Sequence, residues 1–247
     1  MQTTIGQFSR RVASFGAAVA AVAGTLSAMP AAAETRVSML VVSGDVSDVS
    51  AGFGGAIFGA EPTLIDYVDA IRTVAETDAA DALVIRLRDA AIDPTDVEEL
   101  GAASETAQDA GLKVHLFTEM LGTTEALLGA RCDEVIVQAG GPVSLPGLHM
   151  EEIFLADTFA WLGLEADMIQ VGAYKGANEM YTRSTPSDAW DENISGLLDA
   201  QWDEITGAIT KGRGLSQKQL DDALASLWFA TAEDAVRTGL ADAAVDL

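Results

Sequence analysis

Apolar positions recur along this chain with two different periods. Short apolar runs at residues 37–42, 82–87, 113–117 and 134–138 read as strands. Between them the period lengthens. Leu64, Ile65, Val68, Ile71 and Val74 recur at helical spacing within residues 62–77. Asp93-Pro94 opens a helix to about Ala110, with Asp93 as cap and Pro94 in the first turn. Residues 123–130 read as a short helix, and residues 44–59, with Gly52, Gly54 and Gly55, as a loop. Strands alternating with helices predict an α/β fold, a mostly parallel sheet with covering helices. No repeat of 20 to 50 residues interrupts the pattern.

The second half of the chain is more helical. Residues 143–150 read as a strand or an irregular crossing, 153–162 as a helix, and the apolar run 166–171 as a strand. Thr185-Pro186-Ser187-Asp188 reads as a helix start, with Thr185 as cap and Pro186 at the first helical position. That helix runs to about Thr210. Its stripe of Trp190, Ile194, Leu197, Leu198, Trp202, Ile205 and Ile209 fits packing on the sheet or on another subunit. Gly212 and Gly214 close it. A second helix spans 215–227, and a third begins at Thr231 and stops at Gly239. These helices form a C-terminal extension of the domain.

Composition narrows the function classes. A chain of 247 residues can bury one sizeable core or two small ones. A formal charge of −24 argues against nucleic acid and anionic membrane surfaces as partners, and most of the carboxylates read as solvated faces. The single Cys132 excludes an intrachain disulfide and a cysteine metal cluster. Two histidines are too few for a zinc site without much carboxylate help; His115 alternates with Val114 and Leu116 as a structural strand residue, and His149 has no spaced partner. No phosphate-binding glycine motif occurs, so neither cofactor nor metal is expected.

Residues 1–33 read as a targeting segment. Arg10 and Arg11 precede the apolar run 12–29, and Ala31-Ala32-Ala33 offers small residues for cleavage before Glu34. The expectation is an exported, periplasmic domain over residues 34–247. A retained segment of about 18 apolar residues, near the lower limit for a span, would instead anchor that domain facing the periplasm. Membrane contact is expected only through this segment.

The chemistry concentrates at residues 170–179, which hold one of four lysines. Lys175 follows the apolar run and is flanked by Gly172, Ala173, Gly176 and Ala177. A long amine walled by small groups can be desolvated, which makes the neutral amine a usable base. A solvated surface lysine fits the same spacing.

The pattern Gly-x-Tyr-Lys-x-Ala-x-Glu over residues 172–179, followed by an acidic helix, resembles the lysine segment of the signal peptide peptidase A family, the protease IV-like serine peptidases. The likeness runs from about Val37 onward. It implies a ClpP/crotonase-like fold and a Ser/Thr-Lys dyad with Lys175 as general base. It also implies peptide substrates such as residual signal peptides, and assembly as a homo-oligomer or with a second repeat. Counting back from Arg131-Cys132-Asp133-Glu134-Val135 sets the family's serine position on Thr123, which as a residue also fits a plain helix N-cap. Two departures stand out. The family's Ser-Gly-Gly is Thr123-Thr124-Glu125 here, with a negative charge where an oxyanion would develop. Its glycine pair after the second strand is Asp89-Ala90-Ala91. The departures imply an alternative, a non-catalytic lysine half or pseudo-peptidase that binds peptides or completes a site in a larger assembly. An acyl-CoA enzyme on the same superfold is a third reading. Export and an acidic surface speak against its polyanionic, cytosolic substrates.

Overall fold

A parallel sheet with one face wrapped in helices organises the chain. The computed structural model describes residues 6–7, 35–48, 62–77 and 79–246. The expected targeting segment falls outside the described residues apart from positions 6 and 7, and so does residue span 49–61 of the expected loop. In chain order the elements are β1 (Gly6–Gln7), β2 (Val37–Asp45), α1 (Leu64–Glu76), β3 (Ala82–Ala91), α2 (Pro94–Asp109), β4 (Lys113–Thr118), α3 (Thr123–Gly129) and β5 (Glu134–Val137). Then come β6 (Pro142–Val143), α4 (Ala156–Trp161), a 3-10 turn (Gly176–Asn178), α5 (Glu179–Thr182), α6 (Asp188–Arg213), α7 (Gln217–Ser226), β7 (Ala230–Thr231), α8 (Ala232–Thr238) and β8 (Ala243–Ala244).

The main sheet runs β1-β2-β3-β4-β5-β8. Every pairing from β2 to β8 is parallel, and β1 lies antiparallel along the β2 edge. The expected α/β class is therefore present. Alternation decides which face is covered. Leu40 and Val42, Leu83, Ile85 and Leu87, and Val114 and Leu116 form one buried cluster with Tyr67, Val68 and Ile71 of α1 and Val97 and Leu100 of α2. A parallel sheet needs such cover, because its crossover helices must bury their own apolar stripes somewhere.

Local chemistry starts these helices where the sequence predicts. Asp93 caps α2, its carboxylate accepting from the Thr95 and Asp96 N–H groups at 2.7 and 3.0 Å, with Pro94 in the first turn. Thr63 caps α1 reciprocally with Asp66.

A second buried cluster lies on the β5 side. Leu121, Val135, Val137 and Val143 meet Ile209 of α6, Leu220 of α7, and Ala235 and Leu240 of the α8 segment. The join is closed by distant residues. Asp242 accepts the Val135 N–H at 2.7 Å and returns its own N–H to Val135 O at 2.8 Å, while Val245 N–H reaches Val137 O at 3.0 Å.

Three expectations need correction. Residues 166–171 are not a strand: they have no regular structure, and Ile169 is 97% exposed. A strand needs a free edge to pair with, and β8 already occupies the β5 edge. The 143–150 region is the irregular crossing of the two readings, with only Val143 in a ladder, where Pro142–Val143 pairs with Ala230–Thr231. The 153–162 helix is confined to Ala156–Trp161. Finally, α6 starts two residues late. Ser187 caps it by accepting the Trp190 N–H at 3.1 Å, which leaves Thr185 and Pro186 outside, and it continues to Arg213 before Gly214 turns left-handed at φ 65°. No helix among the described residues is long and apolar enough to cross a membrane.

Close approach explains one glycine. A Cβ on Gly212 would run into the Ala130 carbonyl, so α6 seats its last turn directly on the end of α3. Gly212→Ala should therefore cost about 1–3 kcal/mol by overpacking, read as a lowered urea midpoint with unchanged m-value. Gly207→Ala, in open space on the same helix, should not destabilise.

Candidate functional site

Parallel strands end together, and the loops at their carboxyl ends form the natural ligand side of such a sheet. There β3 ends in Asp89-Ala90-Ala91, and β4 passes through Glu119 and Met120 into α3. The Thr118 hydroxyl fixes this turn, donating to Met120 O at 2.6 Å. Leu121 is held from the other side, its N–H on Pro142 O and its carbonyl receiving Ser144 N–H, both at 3.0 Å. Gly141 fits where a Cβ would lie 2.5 Å from Glu119 O.

Thr123 is the first residue of α3 rather than its cap, which is Gly122. Gly122 has no side chain to cap with, and Glu125 folds back to supply only the other half of a capping box, its carboxylate accepting the Gly122 N–H at 2.9 Å. Thr123 is half-buried, and its hydroxyl makes no hydrogen bond to another described residue. A small cavity of about 80 Å³ opens between Leu87, Asp89 and Ala90 on one side and the Thr118–Met120 turn on the other; α3 reaches its wall through Glu125. Arg86 neutralises Glu119 at 3.1 Å, leaving Asp89 and Glu125 to give the cavity its acidic character.

Asp89 is unexpected. Its φ is 47°, in the left-handed region where a glycine would be at ease. The glycine pair is absent from the sequence, yet the backbone turn for which glycine is suited is present. Aspartate is among the few side chains that tolerate it.

Lys175 lies elsewhere. It is exposed, at the start of the 3-10 turn Gly176–Asn178, with its N–H on Gly172 O at 3.3 Å and Gly172 left-handed at φ 89°. Its amine has no hydrogen bond or ion pair with another described residue, and within one chain it is not hydrogen-bonded to Thr123. The segment carrying it, residues 146–204, contributes nothing to either buried cluster. Its apolar side chains are turned outward: Trp161 is 83% exposed and Val171 80%.

This arm is held together by polar ties instead. Leu155 N–H donates to Met180 O at 2.7 Å, Ser184 Oγ to Asp157 at 2.6 Å, and Phe154 meets Trp190 edge-on at 5.9 Å. The two tryptophans of the predicted stripe are half-buried within the chain, while Leu197 stays half exposed. Glu179 is the exception in this open region, only 4% exposed. In the sequence it stands out only as the last position of the lysine motif. Its eight-residue spacing to a helix-capping serine was the available signal.

The other titratable candidates are structural. His115 Nδ1 lies 3.0 Å from Glu134 Oε2 across the β4–β5 ladder. Burial pushes the Cys132 thiol up to about 12, which removes it as a nucleophile. Ser104 is buried, its hydroxyl on Leu100 O at 2.8 Å. Among the described residues no cluster of histidine, cysteine or carboxylate could hold a metal.

The model of peptidase family S49 matches residues 106–247, more than half of the chain. Thr123 and Lys175 fall inside the match and Asp89 before it. Two curated proteins are similar at low identity. Protease 4 of Haemophilus influenzae is 22% identical over 121 residues, covering 49% of this chain and 20% of that protein. The chloroplastic serine protease SPPA of Arabidopsis thaliana is 24% identical over 126 residues, covering 51% of this chain and 19% of that protein. The matched part thus spans about a fifth of the length of these relatives.

The left-handed turn gives a direct test. Asp89→Gly should be more stable than Asp89→Ala by about 1–2 kcal/mol, because only the alanine keeps the steric penalty without a side chain to offset it. Paired urea titrations of the two variants read the difference, and equal midpoints would mean that the turn is not held in solution.

Proposed function

This chain belongs to peptidase family S49, and from that premise we propose that it serves peptide-bond hydrolysis in the cell envelope, with Lys175 as general base in a site completed by assembly. The observation that carries this reading is the contrast between the two candidate residues. Thr123 opens the helix whose Glu125 lines a cavity at the strand ends, whereas Lys175 is borne on an arm outside both buried clusters that exposes Trp161, Ile169 and Val171. An arm built this way calls for a neighbouring surface, since contiguous exposed apolar groups mark interaction sites. A neighbouring copy or a second repeat supplies both that surface and a hydroxyl for the lysine.

The chemistry asked of the pair is simple. The neutral amine takes the proton of a hydroxyl as its oxygen attacks the peptide carbonyl carbon. The resulting ammonium then gives that proton to the leaving amine, and an acyl-enzyme remains for water to hydrolyse. Peptides, including residual signal peptides after export, are the proposed substrates. No cofactor takes part.

A second reading has its own support. Glu125 occupies the Gly122 N–H and adds negative charge beside Thr123, where a developing oxyanion needs donors. On that reading this chain donates the lysine, and the nucleophile is a serine outside it. The periplasmic site of action, whether the leader is cleaved or retained as an anchor, belongs to the proposal as well.

Two experiments test these statements. Lys175→Ala should lower peptide hydrolysis by the assembled protein by about 10²–10⁴-fold, while unchanged hydrolysis removes the peptidase reading. Thr123→Ala should do the same if the hydroxyl is local, and should leave activity intact if the serine lies elsewhere. Trp161→Glu with Ile169→Glu, both nearly fully exposed in the single chain, should leave the fold unchanged by circular dichroism. The pair should shift sedimentation toward monomer and reduce hydrolysis in parallel. A wild-type protein that stays monomeric at high concentration would count against assembly through the arm and the Trp190/Trp202 helix.

A further inference from the structure

Glu179 is a buried carboxylate in a region with almost no other burial, and the proposed chemistry does not use it. Burying a carboxylate is costly unless it is fully hydrogen-bonded. Here the bonds run to a single residue across the chain. Glu179 Oε2 accepts the Ser187 N–H at 2.8 Å, and Oε1 accepts the Ser187 hydroxyl at 2.6 Å. The Arg183 Nε lies 3.7 Å away on the next turn. Ser187 is itself the cap of α6, its hydroxyl oxygen accepting the Trp190 N–H. Carboxylate, hydroxyl and helix start therefore form one continuous chain of bonds.

The lysine turn rests on this chain. Gly176, the residue after Lys175, backs onto it so closely that a Cβ there would lie 3.1 Å from both Glu179 Oε1 and Trp190 Cδ1. On the other side of the lysine, the Tyr174 hydroxyl donates to Glu192 Oε2 at 2.9 Å, one turn further along α6. Lys175 is thus flanked by two tethers to the same helix start, and its own amine has no partner among the described residues. The position of that amine is set by the backbone of the turn, and the turn by its tethers.

We propose that Glu179 is the positioning residue for Lys175, its buried carboxylate locking the lysine turn onto the Ser187 cap of α6. The proposal deepens the reading of Lys175 as general base and rests on it for its catalytic meaning. The ionised form does the locking. Bonds from the Ser187 hydroxyl and N–H outweigh burial and hold the Glu179 carboxyl below its ordinary value of 4.5. A depressed carboxylate contributes its full stabilisation above 4.5 and loses it as the pH falls through the native value. Arg183 supports the same charge state.

The test uses the full chain, with Glu179→Ala, Glu179→Gln and Ser187→Ala compared by amide hydrogen exchange and by kinetics. Glu179→Ala should speed exchange at residues 174–190 by tenfold or more without changing the β2–β5 amides, and should lower kcat by about 10²-fold with KM within twofold. Glu179→Gln, which keeps an acceptor and gains a donor for the serine, should recover at least tenfold of the lost kcat. Unchanged exchange in Glu179→Ala overturns the proposal, and so does faster exchange with wild-type kcat. If the wild-type protein shows no hydrolysis, or if hydrolysis survives Lys175→Ala, the peptidase reading fails separately. Exchange then decides alone: faster exchange in the 174–190 segment of Glu179→Ala upholds the locking, and unchanged exchange overturns it.

Discussion

Everything in this chain hangs on covering one face of a parallel sheet. Leu40, Val42, Leu83, Ile85, Leu87, Val114 and Leu116 give that face nothing to do but exclude water, and α1 and α2 are the means. The parallel register follows, since each strand must return through a covering helix. From the register comes the common ending of β3 and β4, and from that ending the cavity between Asp89 and the Thr118–Met120 turn. The site at the strand ends is a by-product of how the core is closed.

The first half of the chain was legible because its local signals agree with one another. Asp93-Pro94 caps a helix in any context, and apolar runs of six or so residues between helical stripes have few other uses. The second half misled where one signal stood alone. Residues 166–171 have a strand's composition, but pairing is a tertiary property, and the available edge is taken by Ala243–Ala244, far downstream. Thr185-Pro186 carries a helix start in its composition, while Ser187 two residues later does the capping with its hydroxyl. In both cases a local pattern was read correctly as chemistry and wrongly as position.

The site divides along the same line. Lys175 and Thr123 stand out through a motif, which is sequence information. The left-handed Asp89 and the buried Glu179 do not, since neither residue type announces its conformation or its burial. Asp89-Ala90 stands where the resembled family has its glycine pair. Its left-handed backbone is the extra residue of a bulge, held between the Ser43–Arg88 and Gly44–Ala90 pairs of the β2–β3 ladder without a glycine. Residue identity at such a position speaks to strain rather than to shape.

The bond between Val135 and Asp242 joins residues 107 positions apart, and this has a consequence for biogenesis. A ribosome delivers β2 to β5 long before it delivers β8, at roughly 5–20 residues per second. For the several seconds between, β5 is a finished strand with an unpaired outer edge, and the segment being made meanwhile is the arm with its uncovered apolar side chains. An open edge and an exposed apolar tail on one nascent chain are the two ingredients of mispairing. Only the arrival of β8 ends that interval.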